Sequence, residues 1–129
     1  LNALADEKLI NKTSEKGSRN KILFQITDRG KQALAEWLSN HEHSTIYRDE
    51  LLLKLFVSKK KDYPALLEDL KHVLEELVTQ RQVYAELQEF IATKPENLSY
   101  ELTLDYGIVQ NEATIEWLTK AIKTIEEAL

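Results

Sequence analysis

Apolar positions in this chain start with strand spacing and then hold helical spacing for most of its length. The change falls between Lys21 and Leu38. Ile22, Leu23, Phe24 and Ile26 form a β-favouring run broken by Gln25, after which Ala33, Leu34, Trp37 and Leu38 share one helical face. Thr27 and Asp28, between the two patterns, are both competent N-caps. The pattern predicts a strand feeding directly into a capped helix.

Upstream, Leu1 to Ile10 reads as the last turns of a helix, with Leu1, Leu4 and Leu9 or Ile10 apolar. Asn11–Thr13 and Ile22–Ile26 can pair as antiparallel strands around a polar loop that holds Gly17. A helix end, a hairpin and a second helix are laid out like the wing of a winged helix-turn-helix domain.

Downstream, Ser39–Thr45 is a short polar linker. Tyr47–Val57 is apolar nearly all round, which predicts a helix buried on more than one side. Asp62 is the expected cap of the next helix, with Pro64 tolerated in its first turn. That helix runs to about Ala92 with the stripe Leu66, Leu70, Val73, Leu77, Tyr84, Leu87 and Ile91, where Gln80 fills the one gap. After a break at Thr93–Asn97, a last helix runs from about Leu98 to Ala128. Its stripe is Leu104, Ile108, Asn111, Ile115, Leu118, Ile122 and Ile125. Gly107 marks a close backbone approach, and Asn111 is a polar residue at a seam position, where it can set register. Seams this wide are more than one small chain buries easily. The pattern therefore predicts a homodimer, with contacts from Leu70, Val73, Leu77, Tyr84, Leu87, Ile91, Leu104, Ile108, Asn111, Ile115, Leu118 and Ile122.

Composition narrows the functional classes. With 129 residues, one domain or a compact module with an extension is expected. Three Gly and two Pro favour helix, and the lack of cysteine removes disulfides, thiolate metal sites and thiol chemistry. No run is apolar enough to span a membrane and no signal peptide is visible, so a cytoplasmic protein without membrane attachment is expected. The first residue is Leu, which suggests a fragment, a processed chain or part of a longer one. The net charge of −5 is unevenly placed, because Asn11–Lys31 holds six basic against two acidic residues and is +4 by itself. This is either one basic surface on an acidic scaffold or a solvated hairpin with chance lysines.

These residues resemble the PadR family of bacterial transcriptional regulators, in the branch with a long helical C-terminal domain. Leu1-x-x-Leu4-x-x-x-x-Leu9-Ile10 resembles the end of the family's recognition helix. Phe24-Gln-Ile26-Thr27-Asp-Arg-Gly30-Lys-Gln-Ala-Leu34-x-x-Trp37-Leu38 resembles its second wing strand and linker helix. Arg48-Asp49-Glu50-Leu-Leu-Leu53-Lys54-Leu55-Phe56 resembles the start of its C-terminal domain, and Tyr106-Gly107-Ile108 with Glu116-Trp117-Leu118 is a weaker echo. The fold the resemblance implies is mainly α with one β-hairpin. Residues 1–38 would be the C-terminal part of a winged-helix DNA-binding domain, and residues 45–129 an antiparallel helical dimerisation or effector domain. Two helices and most of a recognition helix would precede Leu1, so the elements that read base edges are expected to lie outside this sequence.

The implied function is that of a DNA-binding regulator, a homodimeric repressor whose wing meets backbone and minor groove. Lys16, Arg19 and Lys21 at or beside the wing tip, with Lys12, are the expected contacts, and Arg29 is a further phosphate candidate. The rival reading is a helical oligomerisation or scaffold module without DNA binding. Relatives that respond to small aromatic or amphipathic molecules point to an effector pocket, for which Trp37, Trp117 and Tyr106 are candidates; the alternative is that these aromatics are plain core. His41, His43 and His72 do not make a metal-ligand set, and no nucleophile–base pair or glycine-rich phosphate loop is present. No enzyme activity, cofactor or metal is expected. Duplex DNA, a second copy and a small aromatic effector are the expected partners.

Overall fold

The computed structural model describes residues 1–14, 21–94 and 96–129. The architecture is mainly α-helical with one antiparallel hairpin. The chain divides into two compact units, Leu1–Tyr47 and Arg48–Leu129.

The first unit holds α1 (Asn2–Asp6), β1 (Ile10–Ser14), β2 (Ile22–Ile26) and α2 (Asp28–Ser39). Helix α1 stops short of the span expected to Ile10 because the backbone turns left-handed at Lys8, with φ 59°. Lys8 N then donates to Ala5 O at 3.0 Å and Leu9 N to Leu4 O at 2.9 Å, which satisfies the last carbonyls and sends the chain into β1. Lysine at this position costs about 1 kcal/mol relative to glycine, because its Cβ crowds the following carbonyl. Lys8→Gly is therefore expected to stabilise the turn by about 0.5–1 kcal/mol, read as several-fold slower hydrogen exchange at the Leu9 amide.

The second unit holds α3 (Glu50–Val57), a 3₁₀ turn (Lys60–Asp62), α4 (Tyr63–Ala92) and α5 (Leu98–Ala128). Helix α3 begins later than the expected Tyr47 because Asp49 caps it, its carboxylate accepting from Leu52 N at 2.9 Å. Asp62 does not cap α4 as expected. Its carboxylate turns back to accept from Lys59 N at 3.0 Å, which closes the 3₁₀ turn, and Pro64 needs no hydrogen-bond partner in the first turn of α4.

Helices α4 and α5 pack against each other in antiparallel sense. Asn111 on α5 bonds Leu77 and Gln80 on α4, while further toward the connecting turn Gly107 meets Tyr84. Near the other end, Lys71 Nζ lies 2.6 Å from Glu126 Oε1. The fully covered core is confined to this end, with Leu66, Leu70, Leu118, Ile122 and Ile125 buried and Leu51 and Leu55 of α3 packed against them. Each such burial contributes about 1.5–3 kcal/mol. Toward the Thr93–Asn97 turn α3 is absent, and the seam residues Leu87, Ile91, Leu104 and Ile108 are only partly covered.

This packing corrects part of the expected dimer surface. Leu70, Leu118, Ile122 and Asn111 are covered by their own chain and are closed to a second one. At the core end the two stripes bury each other because α4 and α5 pack as an antiparallel pair.

Candidate nucleic-acid interface

In the hairpin, β1 pairs with β2 in the register Ile10↔Ile26, Lys12↔Phe24 and Ser14↔Ile22. Alternation along the strands puts Lys12 on one face with Ile10, Ile22, Phe24 and Ile26. A two-stranded hairpin is marginal alone. Here a polar hub at Thr27 fastens it to the helices on either side in sequence. The Thr27 hydroxyl accepts from Gly30 N at 3.0 Å, capping α2. Its proton is within reach of Lys8 O at 2.8 Å and Leu9 O at 3.0 Å, and Thr27 N donates to Leu9 O at 3.0 Å. Of the two candidate caps Thr27 is the one used, because it stands at the N-cap position with extended backbone while Asp28 is the first helical residue. Gly30 is buried, and any side chain there would run into the Leu9 carbonyl. The Thr-x-x-Gly spacing is thus a joint. Threonine ties three backbone segments together, and glycine lets the helix start against the entering strand.

Of the candidate DNA contacts, Lys12 on β1 and Lys21 just before β2 are both exposed, and neither forms an ion pair among the described residues. Lys16 and Arg19 lie outside the described residues. Arg29, on the first turn of α2, lines a surface groove with Glu7, Leu9, Gln32, Ala33 and Glu36. The nearby carboxylates make it a weaker phosphate partner than the two lysines.

Two of the aromatic candidates for an effector pocket, Trp117 and Tyr106, share the second unit but do not converge. Trp117 lines a hollow of about 300 Å³ with Leu55, Lys120, Ala121, Thr124 and Ile125. Tyr106 is 68% exposed and stands about 16 Å away along α5, beyond the reach of one small aromatic molecule. Trp37 belongs to the first unit and lines a surface groove with Asn40, Glu42 and His43. A larger groove of about 440 Å³, which sequence pattern had not marked, opens between the ends of α4 and α5. Ile91, Leu104 and Ile108 line it with Gln88, Glu101 and Asp105. Its signal was the run of seam positions beyond the reach of α3. No group of His, Cys, Asp or Glu among the described residues could hold a metal ion, and His72 lies 3.4 Å from Glu76 on the surface of α4. Among the described residues, no helix is long and apolar enough to cross a membrane.

Residues 47–126 match the family described as virulence activator alpha C-term. No curated protein matches the sequence. Among solved structures, the PadR-like transcriptional regulator BC1756 of Bacillus cereus is 19% identical with a TM-score of 0.74, over 99% of this chain and 74% of that one. The Vibrio cholerae virulence activator AphA is 21% identical with a TM-score of 0.73, over 99% of this chain and 75% of that one. Bacillus subtilis PadR in complex with operator DNA is 20% identical with a TM-score of 0.64, over 96% of this chain and 75% of that one. The same protein has been solved with p-coumaric acid. At these identities the likeness is one of fold, and it covers the hairpin as well as the helices.

Proposed function

Because the chain belongs to the virulence activator alpha C-term family and has the fold of PadR-like regulators, we propose that it is part of a DNA-binding transcriptional regulator. The observation that carries this reading is the match of 96% of the chain to a regulator solved on operator DNA. In this reading the hairpin is a wing. Lys12 and Lys21 contact phosphates, and Lys16 and Arg19 join them on the strength of sequence position. The regulator acts as a homodimeric repressor. Large apolar side chains still open on the second unit, such as Phe56 at 87% and Phe90 at 58% exposed, support association. A small aromatic effector is the third partner, and the mostly apolar hollow beside Trp117 is a candidate site for it.

The test is a salt titration of the intact protein on duplex DNA, paired with the double variant Lys12→Glu/Lys21→Glu. The wild type is expected to lose affinity steeply as salt rises, and the variant to bind more weakly with a log–log slope shallower by about two phosphate equivalents. The second unit should melt unchanged, since both lysines are exposed and belong to the first. Absence of duplex binding at low salt overturns the regulator reading and leaves a helical scaffold. Binding with an unchanged slope in the variant removes the wing from the interface.

A further inference from the structure

The two faces of the β1–β2 hairpin differ in chemistry. Ile10, Ile22, Phe24 and Ile26 share one face with Lys12 and Ser14. The other face holds Asn11, Thr13, Leu23 and Gln25, and the alternation of β2 carried back one residue brings Lys21 to the same side. Asn11 and Gln25 stand directly opposite each other in the register, which sets their Cβ atoms about 5 Å apart. Both are exposed, and neither side-chain amide has a hydrogen-bond partner among the described residues. Thr13, the next residue along this face of β1, turns its hydroxyl onto the Leu23 carbonyl at 3.5 Å. The hydrogen-bonding capacity left open on this face is therefore concentrated in the amide pair.

A carboxamide offers two donors and an acceptor at one end. Two of them side by side suit a partner that presents donors and acceptors along an edge. In duplex DNA that partner is a base pair rather than a phosphate, which only accepts. In the major groove Asn and Gln bond adenine through its N6 amino group and N7. In the minor groove their N–H groups meet adenine N3 and thymine O2, where the amino group of guanine would stand in the way. The lysines suit the flanking phosphates. The phosphate walls of a groove rise on both sides of a ribbon seated in it, so Lys21 on the amide face and the long stem of Lys12 on the other can both reach them. We propose that the Asn11–Gln25 pair reads A·T base pairs, which gives the hairpin sequence information beyond its phosphate contacts. The proposal rests on the DNA-binding reading above and adds to it a pair of specificity-determining residues.

The probes are three labelled duplexes of alternating sequence, built from A·T, inosine–cytosine and G·C pairs, bound by the intact protein at one low salt concentration. An inosine–cytosine pair shows the major-groove edge of G·C and the minor-groove edge of A·T. In Asn11→Ala/Gln25→Ala the ratio of A·T to G·C affinity is expected to fall about tenfold, through weaker binding of A·T. The inosine duplex names the groove. It loses affinity along with A·T when the pair lies in the minor groove and behaves like G·C when it lies in the major groove, and either result upholds the proposal. Should alanine loosen the strands, Asn11→Val/Gln25→Val removes the amides with β-favouring residues. Lys12→Glu/Lys21→Glu is the contrast and should weaken binding to all three duplexes alike. An A·T to G·C ratio left unchanged in both amide variants overturns the proposal and leaves the regulator reading standing. No binding to any of the three overturns the regulator reading and the proposal with it.

Discussion

Gly30→Ala is expected to undo the joint between the hairpin and α2. The added Cβ would overlap the Leu9 carbonyl oxygen and come within 2.9 Å of Ile26 Cγ1. Leu9 O cannot step aside, because Thr27 N holds it at 3.0 Å and the Thr27 hydroxyl approaches it at 3.0 Å. Relief requires α2 to move off the strand, which breaks those bonds and the cap on Gly30 N. Overpacking costs about 1–3 kcal/mol and each lost hydrogen bond about 1 kcal/mol more, so a loss of about 3–5 kcal/mol is expected. The loss should be local. Hydrogen exchange at the Thr27 and Gly30 amides is expected to approach the unprotected rate while the α4–α5 pair keeps its protection. Wild-type protection at both amides in the variant would show that the strand and helix are not clamped there.

Gly107→Ala is the control. Its Cβ would meet the far end of a side chain, Tyr84 Oη at 3.2 Å and Cζ at 3.3 Å, which can swing by a few tenths of an ångström. Alanine also gains about 1 kcal/mol in a helix interior. The net change is expected to stay within about 1 kcal/mol of wild type.

Asn111→Asp should be the most damaging single change in the second unit. Asn111 is 4% exposed, and its Nδ2 donates to Leu77 O at 3.0 Å and to Gln80 Oε1 at 3.1 Å. A carboxylate there has no donor to offer and sets a buried negative charge against two acceptors. The expected cost near neutral pH is about 3–5 kcal/mol. Burial raises the folded-state pKa of the new carboxyl above its unfolded value near 4, so the loss should grow as pH rises from about 4 and level off above the folded pKa. Asn111→Leu is the informative partner. The native Oδ1 has no hydrogen-bond partner, so leucine removes a buried acceptor that is already unsatisfied. Stability should stay level or rise by about 1 kcal/mol, while the polar mark that distinguishes the native register from a shifted one is lost. Urea melts of the variants at several pH values decide. A stable, pH-insensitive Asn111→Asp chain would show that water reaches the site.

The period of the apolar positions determined the elements. Ile22–Ile26 is the strand expected from its β-favouring run, and Leu98–Ala128 is a helix because its stripe recurs every three or four residues. Local caps shifted the boundaries, at Asp49 and at Lys8, where the chain accepts a left-handed residue that pattern alone does not reveal. Partnership was decided only by tertiary structure. A 3.5-residue stripe looks the same whether it faces its own chain or a second copy, and the α4–α5 packing committed Leu70 and Leu118 to the former. The two glycines, Gly30 and Gly107, also look alike as letters. One faces a fixed carbonyl and the other a movable ring, a difference set by which segment the fold brings against each. Leu102, Tyr106, Val109 and Trp117 recur in the spacing of α5, but their row stood apart as an open face only once the seam was seen to be filled. A helix is a cylinder, and packing alone tells which of its apolar faces is left open.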